Sequence, residues 1–173
     1  MSESLPSPPP FRVLFVCTGN ICRSPTAEAV LRAKLAAARL SEAVEVDSAG
    51  TTDYHVGAPP DDRSQAHALK RGYDLSRLRA RHVAPEDFRR FDLVLAMDRR
   101  NLAWLVDACP PELRERVRLL VAYARRPHPG QVPDPYYGGA RGFEQVLDLL
   151  EDACDGLVAI LQQRLAAAQA GTS

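Results

Sequence analysis

Lysine is almost missing from this chain: of 22 basic residues all but Lys34 and Lys70 are arginine, and 22 acidic residues balance them to a formal net charge of zero. A neutral chain has no bulk electrostatic attraction for nucleic acid or for an anionic membrane, so neither is expected as a partner. The excess of Arg over Lys reads as genome composition. Long apolar runs are missing as well, and no stretch approaches the ~20 residues needed to cross a bilayer. Met1 to Pro10 holds Ser, Glu and four prolines, without the basic start and apolar segment of a secretion signal. It reads as a disordered tail, with a second short tail over 169–173 and a single domain over 11–168. A cytoplasmic monomer with its four cysteines reduced is the expected state. None of the four histidines stands in a metal-ligand pattern, and Cys17 and Cys22 have no second Cys/His pair at zinc spacing. No metal and no cofactor are expected.

What the chain does have is the stretch Val16-Cys17-Thr18-Gly19-Asn20-Ile21-Cys22-Arg23-Ser24-Pro25. It follows an apolar run from Phe11 that reads as a buried parallel strand, and it precedes an Ala/Leu/Glu/Arg stretch that reads as a helix. A strand handing over to a helix N-terminus is where open α/β sheets bind ligands. Rolled into a tight curve, the backbone N–H groups of Thr18, Gly19, Asn20, Ile21, Cys22 and Ser24 form a nest for a phosphate-like dianion, and the helix dipole adds to it. Gly19 and Asn20 tolerate the positive φ that such a path requires. Arg23 supplies a planar fork for two phosphoryl oxygens. Cys17 sits at the mouth, where the same donors stabilise a thiolate, and a thiolate at the centre of an oxyanion site is a nucleophile aimed at phosphorus. Ser24 can donate to that thiolate or cap the helix, and Pro25 fits the first helical turn. The loop lacks the Gly-Lys-Ser/Thr ending of a nucleotide-binding loop, which disfavours nucleotide hydrolysis.

Beyond the loop, a helix is expected from Thr26 to about Leu40, with Ala29, Val30, Ala33 and Ala37 available for its buried face. Val44–Ser48 reads as a second strand, and Pro59–Arg71 as a helix closed by Gly72. Phe91–Met97 reads as a third strand, with Asp98 capping the following helix, and Val117–Val121 as a fourth. Phe143 to about Ala168 repeats Val146, Leu149, Leu150, Cys154, Leu157, Ile160 and Leu161 at helical spacing. Cys109 and Cys154 read as small buried hydrophobes. Alternating strands and helices imply a doubly covered parallel sheet, a three-layer α/β sandwich with right-handed crossovers.

The run Cys17 to Pro25, followed by Ala27-Glu28, resembles the signature of low-molecular-weight protein tyrosine phosphatases. Asp134-Pro135-Tyr136-Tyr137-Gly138-Gly139 is similar to that family's general-acid loop, and the resemblance covers about Phe11 to Leu165. It implies a four-stranded sheet of order 2-1-3-4, with a cleft built by the loops after strands one, two and four. It also implies catalysis by Cys17, Arg23 and Asp134 through a phosphocysteine, with Tyr54, Tyr136 and Tyr137 as aromatic walls and Ser48 bracing the loop. Phosphotyrosine proteins, a bacterial tyrosine kinase among them, are the implied partners. In this family a His usually hydrogen-bonds the loop asparagine. Leu78 stands there, and His82 replaces a usual Gln, so another donor must serve Asn20. Two alternatives on the same scaffold are an arsenate reductase, which needs two further relay cysteines, and an arginine-phosphate phosphatase, which favours Thr where this chain has Ile21. Cys22 is expected to act as a resolving thiol for oxidised Cys17.

Overall fold

Phe11–Cys17 forms the first strand (β1) because an uninterrupted apolar run suits a strand covered on both faces, and Val13 to Cys17 are all buried. In this computed structural model, which describes residues 8–170, Val44–Gly50 (β2), Leu93–Ala96 (β3) and Val117–Leu119 (β4) join it. The sheet is parallel throughout and its order is β2-β1-β3-β4, as the family resemblance implies. The helices are Arg23–Ala37 (α1), Asp62–Lys70 (α2), Asp87–Arg90 (α3), Arg99–Ala108 (α4) and Gly139–Ala170 (α5).

Alternation along β1 divides the core. Val13, Phe15 and Cys17 pack with Leu31 and Leu35 of α1 and Leu150, Cys154 and Leu157 of α5. Leu14 and Val16 face the other way, toward Phe88 of α3 and Leu105 of α4. The side chain of Cys17 therefore emerges on the α1 side of the sheet, at the carboxyl end of its central strand.

Several boundaries differ from the sequence reading. α1 begins at Arg23 rather than Thr26; Pro25 lies in its first turn as expected, Ser24 lies there too, and Cys22 occupies the cap position without a side-chain cap. Its buried face is Ala27, Val30, Leu31 and Leu35, while Ala33 and Ala37 are exposed. The first turn is buried all round by polar as well as apolar residues, so apolar periodicity misplaces the face. α2 is shorter than expected, and Asp61 caps it by accepting from the Ser64 N–H at 3.0 Å. β3 and β4 are also short, and the chain passes from β4 into a 3₁₀ turn over Leu120–Tyr123. α5 starts four residues before Phe143. Leu149 is half-buried and Ile160 is exposed, whereas Phe143, Leu147, Ala153 and Val158 join the buried face. Cys109 and Cys154 are buried among apolar side chains, one in each core layer. The tail expected over 1–10 lies largely outside the described residues. α5 runs to Ala170, and 171–173 lie outside the described residues too. Among the described residues no helix is long and apolar enough to cross a membrane.

α5 meets the Leu120–Tyr123 turn at Gly156, where a Cβ would stand 1.9 Å from the Tyr123 carbonyl oxygen. Backbone cannot yield there as a side-chain tip could. Gly156→Ala should lower the unfolding free energy by at least ~1–3 kcal/mol, despite the better helix propensity of Ala. Urea denaturation checks this, and an unchanged midpoint would contradict the contact.

Candidate active site

The loop from Thr18 to Cys22 curls between β1 and α1, and its path depends on one left-handed residue and one close approach. Asn20 takes φ 55°. Gly50, at the end of β2, lies so close that a Cβ there would be 2.8 Å from the Thr18 carbonyl oxygen. Cys17 is 2% exposed, and its sulfur lies 3.0 Å from Ser24 Oγ and receives the Ser24 N–H at 3.5 Å. Ser24 thus serves the sulfur rather than capping α1.

Arg23 is 3% exposed, and Cys17 is near enough to act on its charge. Its Nη1 donates to Asp98 Oδ2 at 2.7 Å and to the Val132 carbonyl at 3.0 Å, while Nη2 stands 4.0 Å from Asp134 Oδ2. With Nη1 spent on Asp98 and Val132, the Nε–Nη2 edge remains to meet a ligand. Burial works against the guanidinium charge, but Cys17, Asp98 and Asp134 outweigh it and hold the group above its ordinary range. Asp98 does two jobs: Oδ1 caps α4 through the Asn101 N–H at 2.8 Å, as expected, and Oδ2 holds Arg23.

The missing bracing histidine has a replacement. Asn20 Oδ1 accepts the backbone N–H of Arg81 at 2.9 Å, and Nδ2 donates to Ser24 Oγ at 2.8 Å and to Ser48 Oγ at 3.0 Å. Ser48 in turn donates to Glu28 Oε1 at 2.7 Å, and Arg32 pairs with Oε2 of the same carboxylate. Burial pushes the Glu28 carboxyl up, held back by the bonds from Ser48 and Arg32.

Asp134 opens a 3₁₀ turn over Pro135–Tyr137, its Oδ1 accepting from the Tyr136 N–H at 3.0 Å. Tyr136 is 53% exposed and carries the Arg63 guanidinium 5.0 Å from its ring centroid. Tyr54 is 81% exposed in the loop after β2. The side chain of Tyr137 lies outside the described residues. Three neighbours had escaped the sequence reading. His55 packs on Gly19, where a Cβ would come within 3.0 Å of its Cδ2. Asn101 donates to Thr18 Oγ1 at 3.1 Å. Arg81 acts through its backbone N–H, which leaves no mark on residue type. The end of β3, with Asp98, therefore adds a fourth side to a cleft expected from three loops.

A buried cysteine and a buried arginine beside one curled loop, at the carboxyl end of a central parallel strand, form a candidate active site on an α/β sheet. The profile of the family described as low molecular weight phosphotyrosine protein phosphatase matches residues 12–167, and the chain belongs to that family of phosphoric monoester hydrolases. A low molecular weight protein-tyrosine-phosphatase of Streptomyces coelicolor is 46% identical over 158 residues, covering 90% of this chain and 96% of that protein. The low molecular weight phosphotyrosine protein phosphatase of Homo sapiens is 40% identical over 148 residues, covering 82% and 90%. The crystal structure of a protein tyrosine phosphatase from Entamoeba histolytica superimposes with a TM-score of 0.86 at 42% identity, covering 88% of this chain and 97% of that one.

Burial pushes the Cys22 thiol up to about 12, the Ser64 hydroxyl at 3.1 Å holding it partly back and Cys17 adding to the rise. Iodoacetamide at neutral pH should therefore leave Cys22 unmodified in the folded protein. Peptide mass spectrometry checks this, and labelling of Cys22 at the rate seen in the urea-unfolded chain would contradict it.

Proposed function

We propose that this protein hydrolyses phosphotyrosine in proteins through a phosphocysteine on Cys17, with Asp134 as general acid and then general base. The observation that carries the reading is the meeting of Cys17, the curled loop and Arg23, with Asp134 Oδ2 4.0 Å from the guanidinium. Phosphoryl transfer needs an in-line nucleophile, charge stabilisation on the equatorial oxygens and a proton for the leaving group. The Cys17 thiolate attacks phosphorus, the tyrosine oxygen departs and Asp134 gives it a proton. Water then attacks the phosphocysteine, Asp134 takes the proton of that water, and the S–P bond breaks to return the thiolate and release phosphate. The amides of Thr18 to Cys22, with the open edge of Arg23, hold the three oxygens throughout, and Ser24 serves the sulfur that carries them. Tyr54 and Tyr136 offer walls for a phenyl ring, which suits phosphotyrosine over phosphoserine. A reducing compartment such as the cytoplasm suits a thiolate nucleophile.

Arsenate reduction on this scaffold would need a relay of two further cysteines. Cys109 and Cys154 are buried in opposite core layers, which argues against it. Hydrolysis of p-nitrophenyl phosphate beside thioredoxin-coupled arsenate reduction separates the two, and reduction without hydrolysis would overturn the proposal.

Two substitutions test the assigned roles. Cys17→Ser should abolish turnover while vanadate binding persists, because the amides and Arg23 remain; retained hydrolysis would remove the covalent step. Asp134→Ala should slow the phosphorylation step with phosphotyrosine by about 10²–10⁴-fold, since the leaving oxygen has a conjugate acid of pKa near 10. p-Nitrophenol leaves without such help, so its phosphate should be slowed much less. Rapid mixing reads both, and equal slowing would take the acid role from Asp134.

A further inference from the structure

We propose that Arg81 is a positioning residue for the Cys17 loop: its forked ion pair fixes its own backbone N–H on the Asn20 amide, and that amide decides where the Ser24 proton points. The inference rests on Cys17 being the nucleophile. Its basis is the polarity of a chain of hydrogen bonds. The Arg81 N–H can only donate, so the atom facing it at 2.9 Å must be the amide oxygen of Asn20. Asn20 Nδ2 is then turned to Ser24 Oγ, which must accept at 2.8 Å. Ser24 has one proton left, and the Cys17 sulfur at 3.0 Å is nearer than the Ala49 carbonyl at 3.4 Å. If the amide turned over, its oxygen would face Ser24 and draw that proton away from the sulfur.

Arg81 lies in a stretch without helix or strand, tied to β2 by an isolated bridge between Gly50 and His82. Its guanidinium supplies a second anchor. Nη1 and Nη2 meet both carboxylate oxygens of Asp87 at 2.9 and 3.2 Å, and Nε meets Asp47 at 3.1 Å. Asp87 is itself 3% exposed and accepts the Ala84 N–H at 2.8 Å, so the far end of the clamp is fixed. Asp47 precedes Ser48, the other acceptor of the Asn20 amide. A two-pronged grip of this kind is specific to arginine, and lysine offers only a point charge.

The test compares wild type, Arg81→Ala, Arg81→Lys and Asp87→Asn by the rate at which iodoacetamide alkylates Cys17 at mildly acidic pH, divided by the rate at strongly alkaline pH. A hydrogen bond to a charged group is worth about tenfold. The ratio should fall about tenfold in Arg81→Ala and nearly as far in Arg81→Lys and Asp87→Asn, with kcat on p-nitrophenyl phosphate falling alongside and KM little changed. In a Ser24→Ala background Arg81→Ala should cause no further fall, because the proton it directs is gone. A lowered Tm with an unchanged ratio would make Arg81 merely structural, and an equal further fall in the Ser24→Ala background would also overturn the proposal. Should Arg81→Ala fail to fold, Asp47→Asn at the half-exposed partner must lower the same ratio a few-fold, and no change would refute the clamp. Alkylation needs no phosphatase turnover, so an inactive wild type would sink the proposed function while leaving this test standing.

Discussion

Everything at the carboxyl end of β1 depends on one buried amide. Asn20 is 2% exposed and holds φ 55°, a conformation that costs about 1–2 kcal/mol for a residue with a Cβ. It persists because both donors and the acceptor of its side chain are matched, by Ser24, Ser48 and Arg81. Three hydrogen bonds at roughly 1 kcal/mol each exceed the backbone cost. They also bring together groups from three parts of the chain: the first helix, the second strand and the irregular segment before α3. A loop held this way is preorganised, so binding an anion needs little rearrangement of its donors.

The second constraint is the burial of Arg23. A guanidinium taken out of water loses several kcal/mol of solvation, and removing its partner costs about 3–5 kcal/mol because a bare charge is left behind. Asp98 meets that need from the end of β3 while capping α4 with its other oxygen. The ion pair therefore ties the start of α1 to the end of the strand beside β1 and fixes one nitrogen of the guanidinium. The Val132 carbonyl fixes the same nitrogen from the segment that leads to Asp134. The position of Arg23 and the approach of the Asp134 loop are thus coupled through one guanidinium.

Much of this was legible in the sequence, and the rest was hidden for identifiable reasons. The apolar run, the curled loop and the helix behind it follow from residue type, as do the buried roles of Cys109 and Cys154. The strand order came from the family resemblance rather than from any pattern in the chain. Asp98 could be read as a cap from its place before α4, but its bond to Arg23 spans 75 positions and no local spacing reveals it. The loss of histidine at Leu78 was visible, whereas its substitute was not, because every residue but proline carries a backbone N–H. The buried face of α1 was misplaced for a related reason. Glu28 and Ser24 are inside because they are hydrogen-bonded, and a reading by hydropathy puts such residues outside.

In the proposed mechanism the Cys17 sulfur bonds to phosphorus during turnover. Rapid acid quench of the wild-type protein mixed with p-nitrophenyl phosphate, followed by peptide mass spectrometry, tests it most directly. A phosphoryl group is expected on the peptide containing Cys17, formed within the first turnover and lost on the time scale of kcat. Full hydrolytic activity with no labelled peptide, or with the label on a histidine or on Cys22, would contradict it.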